Sequence, residues 1–261
     1  MSDPDYLAPL PEPRVAAWYR RLARLIGQQR IGGEAPLSAL FLNHYLDNRD
    51  PDSVFPYDPP QYLRASPYVL SVLQYHRAVF LTAQRARTSG GGEVWAGVLP
   101  RIQGLRGFTR WDLAGTVDME YESLVEVGSN QVDIVRIEGF GTPEEQDLLG
   151  AFHGFQLHNR VTVRADRLPN SHIRITFDFW GCRALDWYHF DYSKHLRLPN
   201  PDYGDQTGVR PQDRKLLVYH SNARRIERAG LAAPYHSASA EWQVRDAAIA
   251  GPGEVDPSRR L

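Results

Sequence analysis

The chain has 261 residues, 42% hydrophobic and 23% charged, with a formal net charge of -1 at pH 7. These are ordinary values for a globular protein large enough to bury a real core, and the balanced charge gives no support to bulk nucleic-acid binding. A single cysteine, Cys182, excludes an internal disulfide and a thiolate zinc site, so the chain does not need an oxidising compartment to fold.

Met1 to Arg14 is acidic and proline-rich. It lacks the apolar stretch of a secretory signal, and no apolar run in the chain is long enough to span a bilayer. Synthesis in the cytoplasm without a signal peptide is therefore expected. Pro11 and Pro13 lead into Val15, Trp18, Tyr19, Leu22, Leu25 and Ile26. This spacing predicts an amphipathic helix bordered by Arg14, Arg20, Arg21 and Arg24, suited either to docking on anionic lipid headgroups or to packing in a core with solvated arginines. Arginine makes up 28 of the 30 basic residues, which is read as coding bias rather than as phosphate recognition.

Pro36 is placed for the first turn of a second helix through Leu37, Leu40, Phe41, Tyr45 and Leu46, ended by the acidic, proline-containing stretch Asp47 to Pro60. Ser66-Pro67 opens a third, carrying Tyr68, Val72, Leu73, Tyr75, Val79 and Phe80. The run Thr88 to Gly92 reads as a linker, because consecutive glycines disfavour helix and strand. A helical domain over residues 1–92 and a strand-rich domain over 93–240 are expected on either side.

Beyond the linker the apolar period becomes two. Val117, Met119 and Tyr121 alternate with polar neighbours, as do Ile173, Ile175, Phe177 and Phe179. Leu149 to Leu157 and Val161 to Ala165 are weaker strand candidates, and Arg167 to Ser171 reads as the hairpin connection into the next strand. Ser221 is placed to cap a short helix, Asn222 to Ala229, that stops at Gly230, after the apolar run Leu216 to Tyr219. Residues 241–261 are expected to form a loose tail. The fold class is α+β: a helical N-terminal half, then a curved antiparallel sheet or partial β-barrel carrying the catalytic region.

No Walker loop, dinucleotide glycine fingerprint, His-Glu-x-x-His helix or Gly-x-Ser-x-Gly elbow is present. Cys182 reads as core. The chemistry concentrates in Asp186 to Arg197, where two carboxylates, two imidazoles, two phenols and two cations fall within twelve residues. On a strand, Asp186, Tyr188 and Phe190 share one face, and Trp187 and His189 the other. A carboxylate can ligate magnesium, a phenol can donate to a phosphate oxygen, and an imidazole can act as acid or base near neutrality. Arg197, Arg183 or Lys194 could neutralise a diphosphate. The same residues also fit an aromatic hairpin whose polar groups simply face water.

Asp186-x-Tyr188-x-Phe190-x-x-Ser193-x-His195 resembles the signature of the colicin M family, bacteriocins that enter the periplasm and degrade lipid II, the undecaprenyl-diphosphate precursor of peptidoglycan. The family pattern is Asp-x-Tyr-Asp-Phe, followed at the same distance by His-Arg. Here His189 takes the place of the second aspartate and Leu196 that of the arginine, with Arg197 one position later. Leu149 to Gly154, Val161 to Arg164 and Ile173 to Phe179 resemble the sheet leading into the signature, and His44-Tyr45-Leu46 a helix of the central region.

The resemblance implies a magnesium-assisted hydrolase that cleaves between the undecaprenyl chain and the diphosphate. Asp186 would hold the metal with Asp191 supplying the second charge, His195 would be the general acid or base, Tyr188 would orient the diphosphate and Arg197 would stabilise the leaving charge. His189, which stands where the family has its second aspartate, is expected among the catalytic residues although it does not match the pattern. Expected partners are lipid II, the outer surface of the inner membrane, an immunity protein and a component of a secretion machine that delivers the protein to the periplasm of a target bacterium. The alternatives are a different metal-dependent polyprenyl-diphosphate phosphoesterase, and a non-catalytic secretion adaptor or binding module.

Overall fold

The structure is a computed structural model that describes residues 5–81, 110–112, 119–123, 142–152, 155–167, 172–190, 195–201, 215–246, 249 and 252–260. In chain order the described helices are α1 (Glu12–Gln28), α2 (Leu37–Asp47), α3 (Gln61–Arg64), α4 (Pro67–Leu81), α5 (Pro143–Ala151) and α6 (Ser221–Arg228). The strands are β1 (Val54–Tyr57), β2 (Arg110–Asp112), β3 (Met119–Ser123), β4 (Gln156–Arg167), β5 (His172–Tyr188), β6 (His195–Pro199), β7 (Lys215–Tyr219), β8 (Tyr235–Ser239), β9 (Trp242–Gln243) and β10 (Pro252–Arg260). The class is α+β, as expected, and the sheet is not closed into a barrel.

Two units interleave along the chain. One comprises Met1–Pro60, Ile137–His153 and Asp186–Ala238, the other Gln61–Arg136, Gly154–Leu185 and Ser239–Leu261. The expected boundary at Gly92 lies outside the described residues.

In the first unit, α1 forms where the sequence predicts it. Pro13 sits in the first turn, where its missing N–H costs no hydrogen bond. The face made by Val15, Trp18, Tyr19 and Leu22 is buried, while Arg14, Arg20, Arg21 and Arg24 stay exposed. Because that apolar face is already covered by protein, it is not free to lie in a membrane interface.

α2 starts after Pro36, which occupies the cap position rather than the first turn. Proline has no side-chain oxygen to cap with, and Asp147 of α5 does it instead. Its buried carboxylate accepts hydrogen bonds from the backbone N–H groups of Leu37 (2.8 Å) and Ser38 (3.0 Å) and from the Ser38 hydroxyl.

α5 corrects the strand expected from Leu149. Thr142 accepts from the Glu145 N–H (3.2 Å), and the Glu145 carboxylate accepts from the Thr142 N–H (3.1 Å), a capping box with Pro143 in the first turn. Leu149 to Ala151 therefore close a helix, and the strand begins at Gln156. The acidic stretch after α2 also does more than end it, since β1 lies within it and pairs with β8.

α6 stops at Gly230 as expected. Gly230 has φ +69°, and its N–H donates to the Glu227 carbonyl (2.9 Å) while that of Leu231 reaches the Ile226 carbonyl (2.8 Å), the paired bonds of a Schellman stop. At the other end, helical backbone already begins at His220 (φ -61°, ψ -22°), so His220 and not Ser221 stands at the cap position.

In the second unit, β4 and β5 form a long antiparallel pair, registered from Arg167↔Ile173 to Gln156↔Leu185 with a bulge between Thr162 and Val163. The expected hairpin connection, beyond Arg167, lies outside the described residues, as does Val117. β2 and β3 pair with β4, and β9 and β10 with β5, all antiparallel. The loose tail expected over 241–261 is thus corrected. Backbone pairing needs no large apolar side chains, and Trp242, Val244 and Ile249 are buried as well.

A Cβ at Gly181 on β5 would lie 2.6 Å from the carboxyl carbon of Glu241, the far end of an exposed side chain that can swing aside. Cys182 beside Gly181 is 1% exposed. Among the described residues no helix is long and apolar enough to cross a membrane.

Candidate functional site

The last three residues of β5, Asp186 to Tyr188, belong to the first unit, as does the whole stretch to Arg197. Alternation along the strand sends Tyr188 inward, 8% exposed, and Trp187 outward, 45% exposed. On the inner side Tyr188 completes an aromatic cluster. Its ring centroid lies 5.7 Å from Phe41, 5.9 Å from Tyr45 and 5.8 Å from Phe190, and it stacks on Tyr235 at 5.3 Å. Phe190 extends the cluster to Tyr19 (6.0 Å) and to the His220 ring (5.2 Å).

Helix α2 and strand β8 supply most of the rings that Tyr188 meets: Phe41 and Tyr45 come from the helix, and Tyr235 from the strand. The hydroxyls of Tyr45 and Tyr235 are satisfied, whereas the buried hydroxyl of Tyr19 has no hydrogen-bond partner. Tyr45 donates to Glu227 (2.8 Å), and Tyr235 donates to the Phe41 carbonyl (3.0 Å).

Asp186 is half-buried at the edge of this cluster. Ser237 of β8 donates to its backbone carbonyl at 3.4 Å. Desolvation pushes the Asp186 carboxyl up to about 7, against a smaller opposing pull from the Trp187 backbone N–H. Its charge adds to burial in raising the phenol of Tyr188, and it contributes in the same direction at Tyr235. A carboxyl that exchanges its proton near neutrality is suited to general acid or base work.

His189 goes with Trp187, as the alternation predicts. Its ring stacks on the indole at 4.4 Å and its Nδ1 lies 2.8 Å from the Trp187 carbonyl. The structure does not bring it into the Tyr188 cluster. His195 and Arg197 lie on β6, paired with Tyr219 and Leu217 of β7. Their side chains, and Asp191 altogether, lie outside the described residues.

Among the described residues no three His, Cys, Asp or Glu side chains gather as a metal site. Asp186 is the one expected magnesium ligand that is described, and a single desolvated carboxyl does not make up a magnesium site. Cys182 is core, as its sequence setting implies: burial pushes its thiol up, so it is not poised as a thiolate nucleophile.

Tyr235 has no signal in the sequence, being one aromatic residue after a helix stop. Tyr45 lies in the His44-Tyr45-Leu46 segment already singled out, and a helical face that also carries Phe41 is the signal for it. Compared with protein-family models, with curated proteins and with solved structures, the chain matches none.

Proposed function

We propose that the chain is an antibacterial effector that hydrolyses lipid II between the undecaprenyl chain and the diphosphate. The observation that carries this reading is Asp186, the first residue of the signature, whose half-buried carboxyl is raised to about 7. A protonated carboxyl near neutral pH can deliver a proton to a leaving alkoxide, which an ordinary surface aspartate cannot do efficiently.

In this reading water attacks the phosphorus that bears the polyprenyl oxygen, and His195 takes the proton of that water. The P–O bond to the polyprenyl oxygen breaks as Asp186 gives that oxygen its proton. Undecaprenol leaves, the diphosphorylated disaccharide-peptide remains, and proton exchange with solvent resets both groups. Arg197 offsets the charge on the diphosphate. Tyr188 serves as the ring against which the acid is desolvated. Delivery to the periplasm of a target cell by a secretion machine, and an immunity protein in the producer, belong to the same proposal.

The test is incubation of the purified protein with lipid II, and in parallel with undecaprenyl diphosphate, with and without chelator, followed by separation of the lipid products. Undecaprenol from lipid II is the expected result. Release from undecaprenyl diphosphate alone would favour the other phosphoesterase, and release from neither substrate would contradict hydrolysis.

A further inference from the structure

Strand β8 lies next to β5 in the sheet and turns alternate residues inward. Tyr235 and Ser237 are buried, at 0% and 1% exposure, while His236 between them is exposed. Both buried residues reach the end of β5 that carries the signature. Tyr235 stacks on Tyr188 at 5.3 Å, and the Ser237 hydroxyl donates to the Asp186 carbonyl at 3.4 Å.

The Tyr235 ring is fixed from several sides. His44, Phe55 and Phe41 meet it near the perpendicular, with ring centroids at 4.4, 5.8 and 6.2 Å, and its hydroxyl donates to the Phe41 carbonyl of α2 at 3.0 Å. That bond matters for Asp186, whose charge the Tyr235 phenol feels. A phenol free to donate would stabilise the carboxylate and loosen its proton. The Tyr235 phenol is committed to a carbonyl instead, and among the described residues no side chain donates to the Asp186 carboxyl.

We propose that Tyr235 is a positioning residue: it holds Tyr188 in place beside Asp186 and keeps water from the carboxyl, while its own hydroxyl is spent elsewhere. This role rests on the reading of Asp186 as the acid of lipid II hydrolysis. Tyr235 acts through Asp186 and touches no substrate in it.

The Asp186 carboxyl is titrated by carbon NMR in the full chain, labelled at aspartate, its signal assigned by its absence from Asp186→Asn. In wild type it should titrate at about 7. Tyr235→Leu removes the stacked ring and should make the carboxyl at least about tenfold more acidic, whereas Tyr235→Phe keeps the ring and should change it by less than about threefold. If Tyr235→Leu does not fold, Tyr235→Met is titrated in its place with the same expectation. The pH above which undecaprenol release falls should move down with the titration. A carboxyl as weakly acidic as in wild type in the folded Leu or Met variant, or one made equally more acidic by Tyr235→Phe, would overturn the role and leave Tyr235 as core packing alone. The titration needs no substrate, so its result is separate from that of the lipid II assay.

Discussion

Tyr188 and Tyr235 lie nearly parallel, with ring centroids 5.3 Å apart and planes 24° from each other. One ring closes β5 and the other opens β8, so the stack ties the signature to the core of its unit. Tyr188→Ala should therefore lower stability by about 3–5 kcal/mol, as large-to-small aromatic changes in cores do. Tyr188→Phe keeps the ring and should cost under about 1.5 kcal/mol while leaving activity within a few fold. Urea denaturation of both variants checks the contrast.

The Asp186 carboxyl makes stability depend on pH with a definite sign. Its folded value of about 7 lies above the ordinary 3.8, so the folded chain binds the proton more tightly than the unfolded one. The contribution is fully present below about pH 4, is lost as pH rises through about 7, and is constant above that. Asp186→Asn does not titrate, so its stability relative to wild type should improve across that window. Thermal melts of both proteins between pH 4 and 8 measure the difference.

Asp147 satisfies the start of a helix to which it does not belong. Asp147→Asn keeps the shape but replaces one acceptor oxygen by a donor, leaving the N–H of Leu37 or Ser38 without its charged partner. A loss of about 1–3 kcal/mol in a urea melt is expected.

Arg225 straps the N-terminal segment to α6. Its guanidinium reaches the carbonyls of Leu7 (3.3 Å), Ala8 (3.2 Å) and Leu10 (2.6 Å) and the Glu12 carboxylate (3.2 Å). Arg225→Lys offers one ammonium in place of the fork. Limited proteolysis should then cut ahead of α1 several times faster than in wild type, with the rest of the chain retained.

Much of the fold is legible where its cause is local. Pro13 and Ser66-Pro67 mark helix starts, Gly230 marks a stop, and the alternation of Ile173 to Phe179 marks β5. β5 runs on through Trp180-Gly181-Cys182 to Tyr188, so the strand expected to carry Asp186 and Tyr188 is continuous with the one that this alternation marks. α5 has a local signal in Thr142-Pro143-Glu144-Glu145, outweighed by the apolar run after it. β1 and β10 contain proline and depend on partners distant in the chain, so local pattern does not reveal them. At the site, the opposite faces of Tyr188 and Trp187 follow from strand period alone. The raised Asp186 carboxyl does not, because its burial comes from packing between segments far apart in sequence.

The most direct measurement is the rate of undecaprenol release from lipid II against pH, for wild type and for Asp186→Asn. The proposal predicts a wild-type rate that falls above about pH 7 as the Asp186 carboxyl loses its proton, and a loss on the order of 10²-fold or more in the variant. A folded Asp186→Asn that releases undecaprenol as fast as wild type would contradict the role of Asp186 as the acid.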